Sequence, residues 1–170
     1  MKNLTFIFVW FLSFQLMGQE VFEFSEQGLS PKFKELQLEN KSDSLLVANA
    51  IQWIENNKEA FNLKRIKSVS NKQIEFSSVK NNGTSLDKQY FHVKYGIELV
   101  FEDGKIKFTP KSIQLKLNSK YDMGWKDFDI NDGYSFYKRG KVIRKYRKYL
   151  SDITNHLNSL FTTYQSQKSK

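Results

Sequence analysis

The stretch YFHVKYGIELVFEDGKIKFTPKSIQLKL, Tyr90 to Leu117, decides the fold, because two runs of alternating apolar and polar residues meet in it at Asp103-Gly104. A two-residue type I′ turn needs positive φ at both central positions; Asp-Gly tolerates this, and the twist of such a turn matches the strands it joins. Glu102 is therefore expected to face Lys105, with Phe101 opposite Ile106, Val100 opposite Lys107 and Leu99 opposite Phe108. That register places Phe91, Val93, Tyr95, Ile97, Leu99 and Phe101 on one face with Ile106 and Phe108. His92, Lys94, Glu98, Glu102, Lys105 and Lys107 fall on the other. A slip of one residue would exchange the two sets, so burial of the first fixes the pairing. Parity then changes: the apolar residues are even-numbered at Ile106 and Phe108 but odd-numbered at Ile113, Leu115 and Leu117. Pro110 has no N–H for a ladder, so a bulge or break between Pro110 and Ser112 is predicted to split the run into two segments.

The first 18 residues have the pattern of an export signal: Lys2, an apolar run from Leu4 to Phe14, then Gln15-Leu16-Met17-Gly18 before polar Gln19-Glu20. Cleavage is expected after Gly18. An uncleaved anchor and a buried N-terminal strand are the alternatives, and the run falls short of the ~20 residues that span a bilayer. With no cysteine anywhere, disulfides, thiolate chemistry and lipid attachment to a cysteine are excluded. The chain carries 27 Lys+Arg against 18 Asp+Glu, a net +9 that becomes +8 when Lys2 leaves with the signal. In an exported protein such a balance favours anionic envelope surfaces or another envelope protein as partner, with no nucleic acid expected. The product is expected in the periplasm or outside the cell, and not as an integral membrane protein.

Residues 19–31 alternate weakly and contain Gly28 and Pro31, which predicts a leader with at most a short strand. A single domain is expected over 32–164. Phe33, Leu36 and Leu38 mark its first strand, and Ser42 or Asp43 starts a helix in which Leu46, Val47, Ala50, Ile51, Trp53, Ile54 and Phe61 recur at helical spacing. Short strands follow around Leu63 to Ile66 and around Ile74 to Phe76, and Asn81 to Ser85 reads as a loop. Asn118 to Gly133 is aperiodic and long for a loop in a compact domain. From about Lys141 to Tyr164 a second helix carries Ile143, Tyr146, Leu150, Ile153, Leu157, Leu160 and Tyr164 at intervals of three and four, with a frayed tail at 165–170. The expected class is α+β: an antiparallel sheet of about five strands with two helices on one face, in the order strand-helix-four strands-helix.

That order, with Ala50-Ile51-Gln52-Trp53-Ile54 in the first helix and Phe101 to Thr109 at the hairpin, resembles an uncharacterised family of bacterial secreted proteins described as having a TATA-binding-protein-like fold. The resemblance covers about Pro31 to Leu117. It implies the fold and a signal peptide, and it brings no activity and no site residues, since function belongs to sites rather than folds.

The densest cationic cluster is Lys138, Arg139, Lys141, Arg144, Lys145, Arg147 and Lys148, interleaved with aromatics that include Tyr137. Such a mixture suits anionic polymers and membrane surfaces, although charge runs are often only solvated faces. Cations near a helix N-terminus oppose its dipole, so helix stability does not account for them. Asp127 to Gly133 resembles the start of a calcium loop, but the glycine is one residue late and the twelfth position is Lys138 rather than a bidentate Glu. Two histidines without thiolates argue against zinc, so neither metal nor cofactor is expected. Neither His92 nor His156 has a recognisable catalytic partner in sequence, and no serine sits in a glycine-flanked elbow. The expected function is a non-catalytic binding or interaction module of the bacterial envelope. A small-ligand carrier with a pocket near Trp53 and a hydrolase using carboxylates between Asp122 and Asp132 are the alternatives.

Overall fold

The computed structural model describes residues 21–38, 41–122 and 124–166, with the side chains of 65–69 outside that description. The expected signal at 1–18 and the end of the expected tail lie outside the described residues. In chain order the elements are β1 (Glu23–Ser25), β2 (Gly28–Ser30), β3 (Lys34–Gln37), α1 (Asp43–Asn57), β4 (Leu63–Ser70), β5 (Gln73–Leu86), β6 (Gln89–Glu102), β7 (Lys105–Leu117) and β8 (Lys126–Phe128). They continue with β9 (Tyr137–Lys138), β10 (Lys141–Val142) and α2 (Arg147–Ser166).

The β6–β7 hairpin has the register its sequence dictates, from Glu102 opposite Lys105 through Phe101 opposite Ile106 to Leu99 opposite Phe108. Asp103 and Gly104 both take positive φ, 51° and 71°. Ile97 pairs with Pro110 and Gly96 with Ser112, so Lys111 is the extra residue. This bulge restores the burial of Ile113, and β7 continues through it unbroken. Gly96 leaves room there for the Ser112 hydroxyl, which would stand 2.5 Å from a Cβ at that position.

The main sheet runs β3-β7-β6-β5-β4, and β8 joins β3 on the edge of β7 that β6 leaves free. It is antiparallel throughout. Six strands form it, one more than expected, because residues 126–128 of the supposed long loop pair with Leu115 to Ile113. The expected loop at Asn81 to Ser85 lies inside β5, as a bulge between the pairs Lys80–Val93 and Thr84–Phe91. The chain reverses later, at Asp87-Lys88, whose φ values are 49° and 65°.

Residues 19–31 are more than a leader where they are described. β1 and β2 form a hairpin whose Phe22, Phe24 and Leu29 are buried in the core. Gly28 (φ 85°) makes this docking possible, since a Cβ would lie 2.5 Å from the Ile130 carbonyl oxygen. The second helix starts at Arg147 rather than Lys141, because Lys141 and Val142 pair back onto Lys138 and Tyr137, and a 3-10 turn at Arg144–Tyr146 precedes it.

Both helices cover the face of the sheet that carries Val93, Tyr95, Ile97, Leu99 and Phe101. Trp53 of α1 packs edge-on against Phe76 of β5 and Tyr164 of α2, with ring centroids 5.9 and 5.1 Å apart. Leu150, Ile153, Leu157, Leu160 and Tyr164 line the buried stripe of α2. Each large apolar side chain so buried contributes about 1.5–3 kcal/mol, which explains why this stripe survives a helix start crowded with cations. Tyr95 Oη donates to the Ile153 carbonyl (3.0 Å) and Thr84 Oγ1 to that of Tyr149 (3.0 Å), so these two hydroxyls beneath α2 are satisfied.

Candidate functional site

The basic segment folds as a ridge made of the β9–β10 hairpin, the 3-10 turn and the first turn of α2. Its aromatics turn inward. Phe136 stacks on Phe128 with centroids 5.6 Å apart, and Tyr146 meets Phe136 edge-on at 5.1 Å. Tyr149 is buried, which pushes its phenol up to about 12. Tyr137 donates its hydroxyl to the Phe24 carbonyl, and burial and the nearby Glu23 and Glu26 raise its pKa. Its role is to tie the ridge to the β1–β2 hairpin, and Gly140 N–H adds a second tie by donating to Glu26 Oε1 at 3.1 Å.

The cations stand outside this aromatic base. Lys138, Arg139, Lys141, Arg144, Lys145, Arg147 and Lys148 are all exposed. Lys138, Arg139 and Lys141 surround the hairpin tip, where Arg139 (φ 53°) and Gly140 (φ 73°) make the turn, and they edge a shallow depression with Val142 and Ile143. Lys148 pairs with Asp152 one turn along α2, and the Lys145 ammonium lies 4.7 Å from the Tyr146 ring centre. Contact with Tyr146 raises the Lys145 pKa, with a smaller contribution from Asp87. Among the described residues, none of the other cations of the ridge lies within ion-pair distance of a carboxylate.

The aspartates of 118–133 do not converge. Asp129 accepts from Asn131 N–H at 2.8 Å, Asp132 from Tyr134 N–H at 2.8 Å, and Asp127 from Gln114 Nε2 at 2.8 Å. Each carboxylate orders its own turn or strand. Among the described residues no group of three or more His, Asp or Glu side chains could hold a metal ion.

His156 lies 3.1 Å from Ser78 Oγ, the separation of a nucleophile and its base. Ser78, however, is fully buried and donates to the Phe61 carbonyl at 2.7 Å, so it receives the Nε2 proton of a neutral His156. Burial, with a lesser effect of Lys80, brings His156 down to about 4. The pair joins α2 to the sheet. The space around Trp53, where a carrier would need a pocket, is taken by Phe76 and Tyr164.

Sequence reasoning passed over Trp125. It stands next to β8 on the face of the sheet that the helices leave open, with the Lys94 ammonium 4.9 Å from its ring centre. β8 is too short to show a period, so only its pairing with Leu115 to Ile113 in the folded chain places Trp125 there.

This architecture is of the TATA-binding-protein-like class. The chain is similar in structure to a DUF4468 family protein from Bacteroides ovatus, with a TM-score of 0.66, 15% identity, and 81% of this chain and 85% of that one covered. It is also similar to a TBP-like protein from Parabacteroides distasonis, with a TM-score of 0.54, 15% identity, and 81% and 91% covered. At that identity the likeness establishes the fold alone, and it agrees with the resemblance carried by Ala50 to Ile54 and Phe101 to Thr109. No family model matches the chain, and no curated protein matches it in sequence.

Proposed function

We propose that the chain is an exported, non-catalytic binding module of the bacterial envelope that touches anionic phospholipid headgroups through the ridge of Lys138 to Lys148. The observation that carries this reading is the arrangement of exposed cations on a fixed aromatic base. Phe128, Phe136, Tyr146 and Tyr149 hold the backbone beneath the cations, with Glu26 fixing Gly140 at the hairpin tip and Asp152 pairing with Lys148. They also work against the fold: the first turn of α2 has no acidic residue, and each cation there costs about 0.3–1 kcal/mol against the helix dipole. A positive surface of this kind attracts anionic headgroups by about 1 kcal/mol per Lys or Arg. Among the described residues no helix is long and apolar enough to cross a membrane, so contact from outside the bilayer fits the architecture.

Co-sedimentation with phosphatidylglycerol vesicles at low and high salt tests this, beside a variant with Arg144, Lys145, Arg147 and Lys148 changed to Glu. Binding should weaken with salt and disappear in the variant. Equal sedimentation of the two proteins would overturn the reading.

A further inference from the structure

The helices cover one face of the main sheet, and the other is open. At the end of that face far from the Asp103-Gly104 turn, β6 presents Tyr90, His92 and Lys94. Across from them on β7, Asn118 follows the strand, Lys116 opposes His92, and Gln114 opposes Lys94. Trp125, beyond β8, completes the row. At ~3.3 Å per residue and ~4.8 Å between strands, the patch is about 13 Å along the strands and about 10 Å across.

Trp125 and Tyr90 are 37% and 58% exposed. The Lys94 ammonium lies 4.9 Å from the ring centre of Trp125. Among the described residues Lys94 and Lys116 have no carboxylate within ion-pair distance, and the Asp127 carboxylate at the β8 margin, which keeps its charge, accepts from Gln114 Nε2. Asn118 Nδ2 donates to Asn82 Oδ1 at 2.8 Å, and Asn82 N–H donates to His92 Nδ1 at 3.3 Å. Those two bonds fix the side chains and leave Asn118 Oδ1 as an acceptor and Asn82 Nδ2 and His92 Nε2–H as donors.

We propose that this end of the open face binds an acidic polysaccharide. Trp125 and Tyr90 are the stacking surfaces, Lys94 and Lys116 the carboxylate partners, and Asn82, Asn118 and His92 the hydroxyl partners. The C–H faces of sugar rings, polarised by their oxygens, pack on aromatic rings, and oriented amides match hydroxyls, which both donate and accept. The cations supply charge complementarity to regularly spaced carboxylates. They are all lysines, compact point charges that pair with carboxylates and phosphates alike, so what favours a saccharide here is the fixed set of amide and imidazole groups that match hydroxyls. This site is independent of the lipid-contacting ridge.

The test titrates defined-length oligogalacturonate into the purified protein at physiological salt, where diffuse attraction is screened. Trp125→Ala, which leaves the net charge unchanged, should weaken binding at least fivefold with an unaltered far-UV circular dichroism spectrum, and Trp125→Phe should retain it. The double change Lys94→Gln and Lys116→Gln should weaken it as much, while Arg144→Gln with Arg147→Gln, an equal loss of charge on the ridge, should change it less than twofold. No binding by the unaltered protein, no effect of Trp125→Ala, or equal effects of the two charge-removing pairs would overturn the proposal. So would dextran binding as tight as oligogalacturonate, or tighter binding of oligothymidylate, which would make the face one for neutral sugars or for nucleic acid.

Discussion

Asn158 of α2 grips the backbone of Phe22 with both ends of its amide: Oδ1 accepts the Phe22 N–H at 2.8 Å and Nδ2 donates to the Phe22 carbonyl at 2.9 Å. It thus pairs with the start of the described chain as a neighbouring strand would, across a separation of 136 residues. Asn158→Ala removes these two hydrogen bonds, worth about 0.5–1.5 kcal/mol each, and also the Oδ1 that accepts from Lys34 Nζ at 3.3 Å, so the unfolding free energy in urea should fall by at least about 1–3 kcal/mol. Amide exchange at Phe22 should accelerate more than exchange in β6. Unchanged exchange at Phe22 would mean that Asn158 is not what holds this segment.

Gly28 and Gly140 both have positive φ, but only Gly28 is crowded. Gly140→Ala meets nothing within 4 Å and should cost the conformational penalty alone, about 1–2 kcal/mol. Gly28→Ala adds a clash with rigid backbone at 2.5 Å, so its loss of stability should exceed that of Gly140→Ala by at least about 1 kcal/mol. Parallel urea titrations decide this, and equal losses would place the clash in a part of the structure that yields.

His156 gives stability a definite pH dependence. Its pKa in the fold, about 4, lies below the ordinary 6.5, so the fold favours the neutral ring. Its contribution is complete above pH 6.5 and is lost as the pH falls from there through 4, by up to about 3 kcal/mol. His156→Gln keeps a donor for Ser78 and does not titrate. The unfolding free energies of the two proteins, measured between pH 4 and 8, should therefore converge as the pH falls, and parallel curves would show that the ring does not titrate in the way described.

The turn at Asp87-Lys88 holds a lysine at φ 65°. Lys88→Gly turns it into Asp-Gly, the sequence of the other β6 turn, and relieves about 1 kcal/mol of left-handed strain. The expected outcome is a protein more stable by roughly 0.5–1 kcal/mol with an unchanged circular dichroism spectrum. Thermal unfolding measures it, and destabilisation would count against a type I′ turn at this point.

The ridge makes a prediction of opposite sign for stability and binding. Arg147→Glu replaces an unfavourable charge at the N-terminus of α2 by a favourable one and should stabilise the protein by about 0.5–1.5 kcal/mol. The same change should weaken vesicle binding. A variant that loses stability would show that Arg147 supports the fold instead of opposing it.

The parts of the fold legible in the sequence were those where burial and turn chemistry agree. In Tyr90 to Leu117 the Asp-Gly turn and the alternating apolar face dictate one register, and the parity change at Pro110 announces the bulge at Lys111. Where the two disagree, the local signal misled. Asn82-Gly83 is a stronger turn signal than Asp87-Lys88, yet the ladder with β6 resumes at Thr84 because Thr84 and Val93 are buried beneath α2. β8 and the β1–β2 hairpin were illegible because three-residue strands hold too few residues to show a period, and their places depend on distant partners such as Ile113 and Asn158. The basic ridge was visible as composition. Its aromatic base was not, since the inward turn of Phe136 and Tyr146 depends on Phe128 from another segment. The open-face patch was hidden because its members come from four separate stretches.

The two margins of the main sheet are unequal. On the β7 side the rim is divided between β3, four residues long, and β8, three residues long, with Pro110 in the interval between their registers. On the other side β4 is eight residues long, but its ladder with β5 shifts register between Arg65 and Lys67 and again between Ser68 and Ser70. Growth of a ribbon by edge pairing needs two extendable rims on every molecule, and short or interrupted ones resist it. Neither rim is an unbroken ladder, so both margins resist the edge pairing through which a strand-rich, aromatic-rich protein would polymerise.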